Sequence, residues 1–235
     1  MSHPIRITSP EGTFAAYVAE PKNTPAPAPA IVVIHEVFGV NADLRQTCDE
    51  LAAQGYLAIC PDLFWRIEPG IALTDQTEAE RIKATALYAA FDLDAGVRDI
   101  AAAIETVRKV PQCTGRVGVV GYCLGGLLSY LTTARVGADA AVAYYPGNAD
   151  KHLEEAAGVN SPLIVHLAEE DEYIGKPAQR QIREAFAYRP TVEVFSYPGC
   201  GHAFARHHGI AYDAAAAALA NERTRDFLQL HLKRA

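Results

Sequence analysis

The chain has 235 residues, half of them apolar and 21% charged, with a net charge of −7. That is enough apolar material for one core, so a single domain over residues 1–235 is expected, and the acidic balance argues against nucleic acid or anionic membrane surfaces as partners. No run of about twenty apolar residues occurs, residues 1–6 lack the basic start and apolar block of a signal peptide, and a cytoplasmic location is expected. The five cysteines, Cys48, Cys60, Cys113, Cys123 and Cys200, are odd in number and irregularly spaced. They fit reduced thiols, and without Cys-x-x-Cys or His-x-x-x-His no structural zinc or other metal is expected.

In chain order, residues 5–19 alternate loosely about Glu11-Gly12 and predict a β-hairpin. Residues 21–29 hold four prolines among small residues and predict a loop leading into the main sheet. The β-branched run 31–35 predicts a strand buried on both faces. Residues 44–55 predict a helix stopped by Gly55, and 56–60 a second buried strand closed by Pro61-Asp62. Helical patterns follow at 77–91 and 94–110. Further strands are predicted at 116–121, 140–145, 163–167 and 192–197, with a final alanine-rich amphipathic helix over 213–232. Strands separated by helices predict an α/β fold with a mostly parallel central sheet covered on both faces, and chemistry gathered at the carboxyl ends of its strands.

The most informative stretch is Gly121-Tyr122-Cys123-Leu124-Gly125-Gly126. Strand, Gly-x-nucleophile-x-Gly, helix is the form of a nucleophile elbow, in which small residues permit a turn sharp enough to push one side chain out above a sheet. Here that side chain is a thiol. The same pattern alone also marks a tight turn around a buried cysteine, but its place in an alternating β/α chain favours the nucleophile. A thiol nucleophile needs a base, the base an orienting group, and the oxyanion donors. The strand at 163–167 runs into Ala168-Glu169-Glu170-Asp171-Glu172, where Asp171 is the candidate acid. The strand at 192–197 leads through Pro198-Gly199-Cys200-Gly201 to His202, the candidate base. Each alone is a weak signal; nucleophile, acid and histidine in this order are together much more specific. The helix opening after Cys123 favours a thiolate by roughly 0.3–1 kcal/mol. The backbone N–H of Leu124 is one natural oxyanion donor, and Val37, in the loop after the 31–35 strand, is placed to supply the other. Glu36 sits at the end of that strand, where a carboxylate beside a thiol would tend to hold its proton; an ordinary surface acid is an equal alternative.

The segments His35-Glu36-Val37-Phe38-Gly39-Val40-Asn41, Cys60-Pro61-Asp62-Leu63-Phe64, Gly118 to Gly126, Ala143-Tyr144-Tyr145, Gly201-His202-Ala203-Phe204-Ala205-Arg206 and the closing Ala217-Ala218-Leu219-Ala220-Asn221-Glu222-Arg223-Thr224 resemble the dienelactone hydrolases, or carboxymethylenebutenolidases, over nearly the whole chain. The resemblance implies an α/β-hydrolase fold and a Cys123-His202-Asp171 triad. It implies that Glu36 pairs with the resting thiol and is displaced by substrate, and that Arg81 and Arg206 bind a substrate carboxylate. Phe38, Tyr144, Tyr88 and Thr85 are the further substrate-binding candidates. Thr85 and Tyr88 stand where well-known members carry larger aromatics, Ala203 where some carry serine, and the stretches Pro146-Gly147-Asn148 and Glu172-Tyr173-Ile174 also diverge. The implied activity is opening of an anionic enol-lactone, dienelactone to maleylacetate, without metal or organic cofactor, by a monomer. The alternatives are a hydrolase of another small ester, lactone or thioester on the same triad, a non-catalytic ligand-binding protein with an inert Cys123, and a redox thiol protein, for which no resolving cysteine is seen.

Overall fold

A computed structural model describes residues 5–22 and 27–233. Residues 23–26 of the predicted proline loop, and most of the segment read for a signal peptide, lie outside these. Eight strands form one mostly parallel sheet in the order β1-β2-β4-β3-β5-β6-β7-β8. Contacts within the chain divide it into two compact units, Met1–Val119 and Val120–Ala235.

In the first unit, β1 (Ile5–Ser9) and β2 (Gly12–Ala19) form the expected hairpin, pairing from Ile5 with Ala16 to Ser9 with Gly12. Gly12 lies at φ 156°, and a Cβ there would come within 2.7 Å of the Trp65 ring, so the turn needs glycine. β2 continues antiparallel onto β4 (Leu57–Pro61), which runs parallel to β3 (Ala28–Ile34). β4 is buried throughout, as a continuous apolar run in a parallel pair predicts. The helices α1 (Ala42–Ala53), α2 (Glu78–Ala90) and α3 (Leu93–Arg108) start at side-chain caps: Asn41, Thr77 and Asp92 each accept a backbone N–H of the first turn. Gly55 follows α1 at φ 88°, the left-handed stop expected there.

Asp99, on α3, is fully buried. Its carboxylate accepts from Trp65 Nε1 at 2.8 Å and takes a two-pronged contact from the Arg66 guanidinium, whose Nε also meets Glu11 at 2.9 Å. Removing one partner of a buried pair strands the other, so Asp99→Ala should destabilise the protein by about 3 kcal/mol, the low end of the buried range because Arg66 keeps some solvent access. A denaturant midpoint within error of wild type would show that this network contributes nothing.

β5 (Cys113–Tyr122) runs through the division between the units. The second unit continues with α4 (Leu124–Arg135), β6 (Ala140–Tyr144), a kinked 3-10 segment over Ala149–Gly158, β7 (Leu163–Ala168), α5 (Lys176–Phe186), β8 (Val192–Tyr197) and α6 (Ala214–Leu228), which ends in a π-helical turn. β6, β7 and β8 are parallel and in continuous register. α5 has no counterpart in the sequence reading. It buries only Gln179, Ile182 and Phe186, too sparse an apolar stripe to reveal a helix. Among the described residues no helix is long and apolar enough to cross a membrane.

Candidate active site

The elbow is built by close backbone approach. A Cβ on Gly121 would fall 1.9 Å from the Gly125 carbonyl oxygen, and one on Gly126 would fall 2.4 Å from that of Tyr144. Cys123 between them sits at φ 54°, ψ −113°, a conformation that L residues adopt only when the surroundings impose it. What imposes it is a backbone bond on either side: Cys123 N–H donates to the Tyr144 carbonyl at 3.0 Å, and the Cys123 carbonyl accepts from Leu127 N at 3.1 Å as α4 begins. No side chain caps the start of α4. Its first N–H groups, that of Leu124 foremost, therefore add positive potential beside the half-buried sulfur.

Asp171 and His202 come from the loops after β7 and β8. Asp171 Oδ1 accepts from the N–H groups of Tyr173 at 2.8 Å and Ile174 at 3.0 Å, which orients the carboxylate. Its Oδ2 meets His202 Nδ1 at 2.8 Å, with both side chains buried. A carboxylate can only accept, so Nδ1 carries the proton and Nε2 is the working nitrogen. Among the described residues Nε2 has no hydrogen-bond partner, and the strongest favourable charge interaction on the ring comes from Cys123. Burial alone would lower the pKa of His202. The electrostatic influence of Cys123, with the Asp171 carboxylate bonded behind, more than reverses this and raises it to about 10. The imidazole lies between two tyrosines: the buried Tyr145 ring at 5.0 Å and the largely exposed Tyr173 ring at 4.8 Å, edge-on. Tyr145 at φ 36° and Ala203 at φ 63° are further strained positions beside the histidine. Sequence reasoning missed Tyr145 as a neighbour of His202, since an aromatic at a strand end gives no sign of its backbone conformation.

Arg206 follows in the same loop, is buried, and lies within electrostatic reach of Tyr173, as does Cys123. Tyr144 departs from the sequence expectation of a substrate contact. It is fully buried, with its hydroxyl donating to Asn221 Oδ1 at 2.8 Å and lying 2.7 Å from Thr224 Oγ1, so it has no surface to offer a ligand.

The remaining candidates belong to the first unit. Glu36, Val37 and Phe38 lie on one tight turn, closed by Gly39 N–H donating to the Glu36 carbonyl at 3.2 Å, with Glu36 and Phe38 buried. His35 Nδ1 sits 2.6 Å from the same carbonyl, and its Nε2 accepts from Leu63 N at 3.0 Å, which fixes the peptide between Glu36 and Val37. Arg81, Thr85 and Tyr88 fall at i, i+4 and i+7 of α2 and share a face. Arg81 donates to the Asp75 carbonyl at 2.6 Å, and Thr85 Oγ1 donates to the Arg81 carbonyl at 2.9 Å.

Comparison with known proteins agrees over the chain's length. The family model described as "Dienelactone hydrolase family" matches residues 14–232. The carboxymethylenebutenolidase of Pseudomonas putida is 46% identical over 225 residues, covering 95% of this chain and 94% of that protein. A solved structure from Klebsiella pneumoniae, provisionally named a dienelactone hydrolase, aligns with TM-score 0.85 at 26% identity over 97% of each chain. The dienelactone hydrolase-like promiscuous phosphotriesterase P91, from metagenomic libraries, aligns with TM-score 0.82 over 98% of each chain; at 19% identity that likeness is one of fold alone.

Proposed function

Because this chain is a hydrolase belonging to the dienelactone hydrolase family, with an α/β-hydrolase fold, we propose that it opens an anionic enol-lactone, dienelactone to maleylacetate, through a thioester on Cys123. The observation that carries this reading is the ordered set of Asp171, His202 and the elbow thiol, with His202 Nε2 left to the sulfur. In the proposed reaction the substrate carboxylate docks on Arg206 and Arg81. The Cys123 thiolate attacks the ring carbonyl, and the carbon–sulfur bond forms while the N–H groups of Leu124 and Val37 hold the oxyanion. The ring carbon–oxygen bond then breaks, and its electron pair leaves as an enolate that takes up a proton. Water enters with His202 as base, cleaves the thioester and returns the thiol, while Asp171 fixes the imidazole and stabilises its charged form. The resemblance gives Glu36 the part of partner to the resting thiol, and Phe38, Thr85 and Tyr88 that of shaping substrate choice. A cytoplasmic monomer belongs to the same proposal.

The test is loss of the ultraviolet absorbance of dienelactone on adding enzyme, run beside Arg206→Ala and Arg81→Ala. A charge-assisted contact to a carboxylate is worth about 1.5–3 kcal/mol, so each variant should raise KM roughly ten- to a hundredfold. No absorbance loss with wild type would remove the lactone; cleavage of a simple aryl acetate in the same preparation would then keep the triad and change the substrate.

A further inference from the structure

The closing motif Asn221-Glu222-Arg223-Thr224 has no part in the chemistry above, yet three of its four side chains converge on one buried cluster. Thr224 Oγ1 lies 3.0 Å from His166 Nε2 and 2.7 Å from Tyr144 Oη. Asn221 Oδ1 accepts from Tyr144 Oη at 2.8 Å. The Arg223 guanidinium lies over Phe195 at 4.1 Å and over the Tyr197 ring at 5.4 Å. That phenol in turn sits 2.8 Å from His166 Nδ1. His166, on β7, is fully buried and lies against the Tyr144 ring at 4.4 Å, tilted by 37°.

Proton counting gives this chain a direction. The positive charge of Arg223 over the Tyr197 ring favours the phenol oxygen turned toward it and leaves the phenol's own hydrogen for His166 Nδ1. At the far end the Tyr144 hydrogen goes to Asn221 Oδ1, so the Thr224–Tyr144 bond must use the Thr224 hydrogen. Thr224 then has none left for His166, and His166 Nε2 must be the donor. One nitrogen accepts and the other donates, which is the neutral ring. Burial, helped by the charge of Arg223, lowers the His166 pKa to about 3, in keeping with that state. Every hydrogen between Arg223 and Asn221 is used once, in one direction.

The catalytic corner rests on the same residues through the backbone. The Tyr144 carbonyl accepts Cys123 N–H, and Tyr145 N–H donates to the His166 carbonyl at 2.7 Å. The peptide joining Tyr144 to Tyr145 is thus gripped from both sides where Tyr145 turns to positive φ and lays its ring against His202. Tyr197 adds a lateral path through Phe204, at 4.7 Å, to Tyr145.

We propose that His166, as the neutral Nε2–H tautomer, is the central positioning residue of a one-directional chain, Arg223 to Tyr197 to His166 to Thr224 to Tyr144 to Asn221, which holds the Tyr144–Tyr145 peptide against which Cys123 and His202 are registered. It touches neither substrate nor the reacting atoms. Its kinetic consequence rests on the thioester chemistry proposed above; its tautomer does not.

Two measurements test it. Two-bond hydrogen–nitrogen correlations on histidine-labelled wild-type protein should show His166 protonated on Nε2 and unchanged across the neutral pH range. Thr224→Val and Tyr197→Phe each break the chain at one hydroxyl and should lower kcat roughly ten- to a hundredfold with KM within about twofold of wild type, since a misplacement of an ångström costs that much; Thr224→Ser, which restores the hydroxyl, should recover most of the loss. The rates are read on an aryl acetate as well as on dienelactone, so a wrong lactone is distinguished from a wrong network. A proton on Nδ1, or both variants turning over at the wild-type rate, overturns the proposal.

Discussion

Cys123→Ala is expected to reduce lactone hydrolysis by about ten-thousandfold or more while keeping a single cooperative melting transition. The rate loss follows because no other group replaces the sulfur as nucleophile, and what remains is the oxyanion donors and substrate binding. The fold should survive because the strain at this position lies in the backbone at φ 54°, which alanine, with the same Cβ, adopts at the same cost as cysteine. The elbow is held by the backbone bonds to Tyr144 and Leu127, and α4 takes no cap from the thiol. Progress curves and a circular-dichroism melt on the same preparation decide it. Retained hydrolysis would show Cys123 to be an inert thiol in a tight turn and would move the nucleophile elsewhere.

Asp171→Asn is the second large effect. Oδ1 is bound to two backbone N–H groups. An asparagine keeping those contacts with its oxygen must turn its NH2 toward His202 Nδ1. Two donors then face each other whenever the ring is charged, and the neutral ring is driven to carry its proton on Nε2, toward the sulfur. By analogy with serine triads, kcat should fall by about ten-thousandfold. Stability should change with pH in a linked way. Folded wild type holds the His202 proton up to about 10, against 6.5 for the free side chain. The resulting stabilisation is fully present below 6.5 and is lost as pH rises through about 10. Denaturant midpoints followed over that window should therefore decline in wild type and decline less in Asp171→Asn. Parallel curves would show that Asp171 does not sustain the charge on His202.

The elements that carry the reaction are those most legible in the sequence. The nucleophile motif, the acid and the histidine each follow an apolar run of strand length, and β8 begins and ends where its β-branched and aromatic residues predict. Such runs are local signals, and a parallel sheet places their carboxyl ends on one side whatever the loops do. Boundaries moved by a few residues where a cap decides them: Asn41 starts α1 two residues ahead of the predicted helix. The positive φ of Tyr145 and Ala203 was illegible, since neither residue type favours that conformation and only neighbouring backbone enforces it. The His166 cluster was illegible for another reason. Its members lie 31, 58 and 80 residues apart along the chain. A histidine inside an apolar strand run gives no indication of which distant hydroxyls meet it. Tyr144 was misread as a substrate contact on the same account: its neighbours by sequence belong to the site, but its hydroxyl belongs to α6.

The charged imidazole beside Cys123 has a bearing on which element the elbow is able to use. Nothing in the backbone at position 123 distinguishes sulfur from oxygen, and a serine would occupy the turn with little change in shape. The charge on His202 is sustained first by Cys123 and then by Asp171, so an uncharged serine at position 123 would remove the larger support and leave burial free to lower the imidazole pKa. The charge on His202 is therefore a property of the residue at position 123 as much as of the loop that carries the histidine. Replacing the sulfur with a serine oxygen would itself weaken the field that keeps the histidine charged.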